Sequence, residues 1–129
     1  PGSRAGRWKT MEKVSIVKEE KQNIQIEFSL FSIGDDFLVA VEGGDVPHIG
    51  AVTLGNQKEE ITSKLKGHKE HIITQDIFHI LKEGVRGNIL VAGGIHIDHI
   101  SIEEIQLVQE MCQDGASKVN KILKEITND

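Results

Sequence analysis

The stretch that decides the fold of this chain is Asn88-Ile-Leu-Val-Ala-Gly-Gly-Ile-His-Ile-Asp-His-Ile-Ser-Ile-Glu-Glu104. A short apolar run that is bounded by glycines predicts a buried strand over residues 88–94. The Ser-x-x-Glu pattern of Ser101 and Glu104 is a capping box, which marks the beginning of a helix. Residues 88–104 therefore predict a buried strand that leads directly into a helix.

The period of the apolar residues changes once along the chain, and this change predicts the architecture. Before residue 69, apolar and polar residues alternate, as in a strand with one buried face. From about residue 69 the spacing becomes helical. Strands are predicted around 14–16, 24–30, 37–41, 49–54 and 61–65, the last at a sheet edge. The prediction is an α+β fold in which a mostly antiparallel sheet of five to six strands is covered by two helices, in the order β-β-β-β-β-α-β-α.

Length and composition limit the classes of protein that this chain can represent. We expect residues 11–129 of the 129 to form a single α+β domain, preceded by residues 1–10 as an added or disordered N-terminus. The net charge is −5 and acids and bases are interspersed, which argues against a nucleic-acid partner. No apolar run reaches the roughly 20 residues of a membrane span, so no membrane partner is expected. The single cysteine, Cys112, is typical of a reducing compartment, and we expect a cytoplasmic protein.

A candidate site follows from the ionisable residues beside the glycines. His96 and Asp98 lie two residues apart on a predicted strand, so their side chains point to the same face. His48 and His68 also lie at junctions between a loop and an element, next to a glycine or proline. Three interpretations stay open: a pocket for a cofactor or anion, a metal or catalytic cluster, and structural capping of the turns.

Three short segments, in this order, carry a resemblance to a known family. They are Pro47-His-Ile-Gly-Ala-Val52, Gly67-His-Lys-Glu70 and Ala92-Gly-Gly-Ile-His-Ile-Asp98. Together they resemble the prenylated-flavin chaperone-like family, which supplies the small accessory component of hydroxyarylic acid decarboxylases of the gallate and vanillate type. The resemblance covers roughly residues 13–125. His99 departs from the pattern, because a small polar residue is expected at that position.

The resemblance implies a fold related to that of proteasome assembly chaperones, which dimerise, so a homodimer is expected. It also implies an accessory, non-catalytic protein that serves a UbiD-type decarboxylase client and binds prenylated FMN or FMN. The residues that it assigns to cofactor binding are His48, Gly50, Gly67, His68, Glu70, Gly94, His96 and Asp98.

Two alternatives to this role remain from the residues themselves. The first is a small enzyme that uses a divalent metal bound by His68, His96 and Asp98, since imidazoles and carboxylates are common metal ligands. The second is an assembly chaperone that binds no ligand.

Overall fold

In the computed structural model, which describes residues 11–67 and 70–127, six strands form one sheet and two α-helices pack on it. Residues 1–10 and His68, for which the sequence made predictions, lie outside these ranges. The strands are β1 (Glu12–Lys21), β2 (Ile24–Ile33), β3 (Asp36–Gly44), β4 (Ala51–Gly55), β5 (Glu60–Lys64) and β6 (Ile89–His96). The helices are α1 (His71–Leu81), which continues into a short 3-10 turn, and α2 (Ile102–Thr127).

The strand order across the sheet is β1-β2-β3-β6-β4-β5. Strands β3 and β6 are parallel and the other neighbours are antiparallel, which confirms the predicted α+β class and its mostly antiparallel sheet. Strand β6 lies between β3 and β4, in agreement with its continuous apolar run, because a central strand has apolar neighbours on both sides. Strand β5 lies at an edge, as its polar face predicted.

The core lies between one face of the sheet and helices α1 and α2. Along β2, alternate residues such as Phe28 and Leu30 point to the helices and are fully buried. Helix α2 approaches the sheet most closely at Gly115, where a Cβ would overlap the Phe28 ring. This close approach lets the helix bury a stripe centred on Val108, Cys112 and Val119.

The other face of the sheet, called the open face below, is not covered by any element of the described chain. Alternation and strand register place two rows of side chains across its centre. The residues of the large row are Phe31, Leu38, Leu90, Leu54 and Ile61. The residues of the small row are Ser29, Ala40, Ala92, Val52 and Ser63. The fold therefore has one buried and one solvent-facing apolar sheet face.

Candidate functional site

The carboxyl ends of the parallel strands β3 and β6 meet at one end of the sheet. Gly44 and His96 are register partners there, and Asp45 N donates to His96 O at 2.6 Å. Gly44 has a φ of +78°, and a Cβ at this position would overlap the His96 carbonyl, so glycine is required. This junction turns the chain away from β3 and brings the following loop, residues 45–50, beside β6.

His48, in this loop, is held by two oxygen acceptors. Its Nδ1 lies 3.0 Å from Val46 O and its Nε2 lies 2.7 Å from Glu70 Oε1. Because both ring nitrogens face acceptors, this environment favours the imidazolium, in which both nitrogens can donate. The hydrogen bond to the Val46 carbonyl raises the pKa of His48 above 6.5; burial opposes this shift and the Glu70 carboxylate supports it.

Gly94 provides the space that the His48 ring occupies. A Cβ at Gly94 would lie 2.8 Å from His48 Nε2. On the neighbouring strand position, Gly50 N donates to Gly93 O at 3.0 Å. The imidazole of His48 therefore packs directly on the backbone of β6. The absence of a side chain at Gly94 allows this packing.

His96 and Asp98 point to the same side of the chain and hydrogen-bond to each other, with His96 Nε2 3.0 Å from Asp98 Oδ1. Both side chains are more than half exposed. The Asp98 N–H also donates to the Asp45 carboxylate at 3.0 Å. The His48 and His96 rings meet edge to face, with 6.4 Å between their centroids. These contacts bring His48, Gly94, His96 and Asp98 into one region at the end of β6, called the histidine region below.

Glu70 connects this region to the beginning of helix α1. It is the N-cap residue, and its carbonyl accepts from Thr74 N at 3.0 Å, while its carboxylate binds His48 instead of capping the helix. Leu65 N donates to Gly50 O at 3.0 Å, which joins the segment before α1 to the His48 loop. Gly67 lies in this segment with a φ of +83°, and no atom of the described residues lies within 4 Å of the position that a Cβ would take.

Three further features of the described residues concern metal binding, the reactivity of the cysteine and membrane spanning. Residues 11–67 and 70–127 contain no group of three or more His, Cys, Asp or Glu side chains placed to hold a metal ion. Burial raises the pKa of the Cys112 thiol to about 12, with a further contribution from Asp76, so the thiolate that a nucleophile needs is disfavoured. In the same ranges, no helix is long and apolar enough to cross a membrane.

A groove of about 430 Å³ lies on the open face at the opposite end of β3 and β6, and the sequence did not predict it. Its floor is apolar, with Leu38, Leu54 and Leu90. Two polar residues at its rim hydrogen-bond to each other, since Asn88 donates twice to the Asp36 carboxylate, at 2.8 and 3.2 Å. An apolar floor formed by three different strands has no local sequence signal.

Sequence analysis also did not identify Asp45 as part of the histidine region, although its position after Gly43 and Gly44 is typical of a turn.

The capping box is confirmed, with Ser101 N donating to Glu104 Oε1 at 3.0 Å and Glu104 N donating to Ser101 Oγ at 3.1 Å. It begins helix α2 a short distance after Asp98. The segment between the end of β6 at His96 and the start of α2 at Ile102 is therefore short.

Comparison with known proteins agrees with the predicted family. Residues 20–124 match the family described as the prenylated flavin chaperone LpdD-like domain. The chain is also 30% identical over 106 residues to Protein LpdD of Lactiplantibacillus plantarum, and the match covers 78% of each chain. These matches confirm the predicted role of an accessory protein connected with prenylated flavin. The chain belongs to the prenylated flavin chaperone LpdD-like family.

Proposed function

We propose that this protein binds prenylated FMN at the end of the sheet where β3 and β6 terminate, and passes it to a client decarboxylase. The observation that carries the proposal is the hydrogen-bonded pair of His48 and Glu70, which joins the loop after β3 to the N-terminus of α1. Residues that the family resemblance assigns to the cofactor, including His48, Glu70, Gly94 and His96, converge there. When bound in the decarboxylase, the flavin would supply the chemistry of the decarboxylation.

The charge balance at this end is compatible with a phosphate group. The His48 imidazolium neutralises Glu70, whose carboxylate would otherwise repel an anion from the beginning of α1. The carboxylate of Asp98 is engaged by His96 and that of Asp45 by the Asp98 amide. The segment before α1 contributes Lys64 and Lys66. A helix N-terminus with neighbouring lysines is a suitable environment for a phosphate.

The apolar surroundings suit weak binding of a flavin ring. Ile49 is 67% exposed beside His48, whereas the half-buried Ile95 packs against the core on the other side of β6. Aromatic stacking is limited, because Phe28, Phe37 and Phe78 are buried in the core and the chain has no tyrosine. We therefore expect micromolar affinity, about 8 kcal/mol of binding free energy. Such an affinity suits transfer to a client better than storage.

The experiment is an anaerobic titration of purified protein with FMN and with prenylated FMN, followed by fluorescence and calorimetry. Wild type should saturate in the micromolar range, with the prenylated form bound at least as tightly as FMN. His48→Ala should weaken binding about tenfold, because it removes the charge that neutralises Glu70. The matched control is His79→Ala, which removes another histidine–glutamate pair, with Glu60 at 2.8 Å, away from this region.

His79→Ala should leave the affinity unchanged. If wild type shows no saturable binding of either flavin up to millimolar concentration, the proposed binding function is wrong. If both histidine variants lose the same affinity, the site is elsewhere and the His48 region has no special role in it.

A further inference from the structure

We infer that buried threonine hydroxyls on β4 and α1 hold Glu70 in contact with His48, so that Thr53 and Thr74 are positioning residues of the candidate site. Thr53 is 0% exposed and Thr74 is 1% exposed. Thr53 Oγ1 donates to Thr74 Oγ1 at 3.0 Å, which joins the strand to the first turn of the helix. Glu70 begins this turn, and its carboxylate hydrogen-bonds to His48.

The hydroxyls belong to one directed chain of hydrogen bonds. Gln75 Nε2 donates to Thr62 Oγ1 at 3.2 Å, and Thr62 Oγ1 lies 3.0 Å from Thr53 Oγ1. Thr74 Oγ1 donates to His71 O at 3.2 Å. Because the Thr53 hydroxyl gives its only proton to Thr74, it accepts from Thr62. Each of the three hydroxyls therefore donates once and accepts once, and the chain ends on a carbonyl in the first turn of α1.

The chain lies in a row of the core face that is apolar on the neighbouring strands. Thr53 is the register partner of Val91 on β6, which in turn pairs with Val39 on β3, and both valines are fully buried. A hydroxyl in such a row costs free energy unless it is hydrogen-bonded, whereas a valine would fill nearly the same space without that cost. The hydroxyls add a directional contact, which fixes the first turn of α1 on β4 more closely than apolar packing does.

The first turn of α1 depends on this contact because Glu70 does not cap it. Among the described residues, Glu70 makes no side-chain hydrogen bond to the amides of this turn. Thr74 bonds to the turn twice, since its N–H donates to Glu70 O at 3.0 Å and its hydroxyl donates to His71 O. The Glu70 carboxylate accepts from His48 instead, and the hydroxyl chain from β4 determines where that carboxylate lies.

An NMR titration of the His48 ring with pH, on the full chain without ligand, tests the inference. Thr74→Val keeps the shape of the side chain and removes the hydroxyl. The pKa of His48 should then fall toward the ordinary value of 6.5, because a displaced carboxylate stabilises the imidazolium less. Thr74→Ser retains the hydroxyl and should keep the wild-type pKa of His48. His96, whose ring meets that of His48, and Asp98 beside it are ionisable neighbours on the β6 side, and every variant retains them.

The matched control is Ile77→Val, which removes one methylene from a fully buried position of the same helix. It should destabilise the packing of α1 and leave the pKa of His48 unchanged. Circular dichroism checks that each variant is folded. If Thr74→Val unfolds, the double variant Thr53→Val with Thr74→Val replaces it, because removing both partners leaves neither hydroxyl of the pair unsatisfied.

A folded Thr74→Val variant with the wild-type pKa of His48, an equal change in Ile77→Val, or a Thr74→Ser variant that behaves like Thr74→Val would each overturn the inference. The consequence for the ligand rests on the proposed function. Thr74→Val should weaken FMN binding about threefold, less than the roughly tenfold loss expected for His48→Ala, because the ring is kept. A wild type that binds no flavin would overturn the proposed function alone, since the titration of His48 is measured without ligand.

Discussion

At the scale of single residues, the environment of His48 determines its protonation. Val46 O and the Glu70 carboxylate accept from opposite sides of the ring, so the protonated form satisfies both. The neutral ring would leave one of these acceptors facing a lone pair. The ion pair thus stabilises both the loop before β4 and its attachment to α1.

This arrangement predicts a pH dependence of stability. The folded-state pKa of His48 is raised above 6.5, so its stabilisation is complete below about pH 6.5 and is lost as the pH rises through the folded-state value. The difference in unfolding free energy between wild type and His48→Gln should therefore be larger at about pH 6 than at about pH 9. Urea denaturation of both proteins at both pH values measures it. A difference that stays constant or grows with pH would contradict the imidazolium assignment.

The sequence predicted part of this residue-level arrangement. His96 and Asp98 were expected on one side because strand geometry relates residues two apart. The contact between His48 and Glu70 joins residues 22 positions apart through a loop, and no local periodicity encodes it. The family resemblance assigned both residues to cofactor binding without predicting that they hydrogen-bond to each other.

At the scale of elements, Gly115 sets how closely α2 packs on β2. Gly115→Ala should destabilise the protein by about 1–2 kcal/mol, since overpacking against Phe28 exceeds the roughly 1 kcal/mol gain in helix propensity. The control is Ser117→Ala, at an exposed position of the same helix. It should change the unfolding free energy by less than about 0.5 kcal/mol. Stabilisation by Gly115→Ala in urea denaturation would show that the helix can move away from the sheet without cost.

The order of the elements along the chain was predictable, and their order in the sheet was not. Alternating and helical periods are local properties, so β1 to β6 and both helices appear in the sequence. The apolar run of Leu90, Val91 and Ala92 indicated a buried strand. Its insertion between β3 and β4 depends on contacts between distant parts of the chain, which periodicity does not specify.

At the scale of the whole molecule, the sheet presents two apolar faces, and helices α1 and α2 cover only one. The histidine region lies at the end of the open face, where β3 and β6 terminate, and the groove lies at its other end. The proposed flavin site and the groove therefore lie at opposite ends of the same sheet face.

Amide chemical-shift mapping with FMN tests the central claim, that the flavin binds at the carboxyl ends of β3 and β6, most directly. Adding FMN to labelled protein should shift the amides of residues 46–50, 64–67 and 94–98 together, with saturation in the micromolar range. Amides at the far end of α2, such as Lys124, serve as the internal reference and should not move. Shifts confined to the opposite end of the strands, around Asp36 and Asn88, or no saturable shifts at all, would contradict the claim.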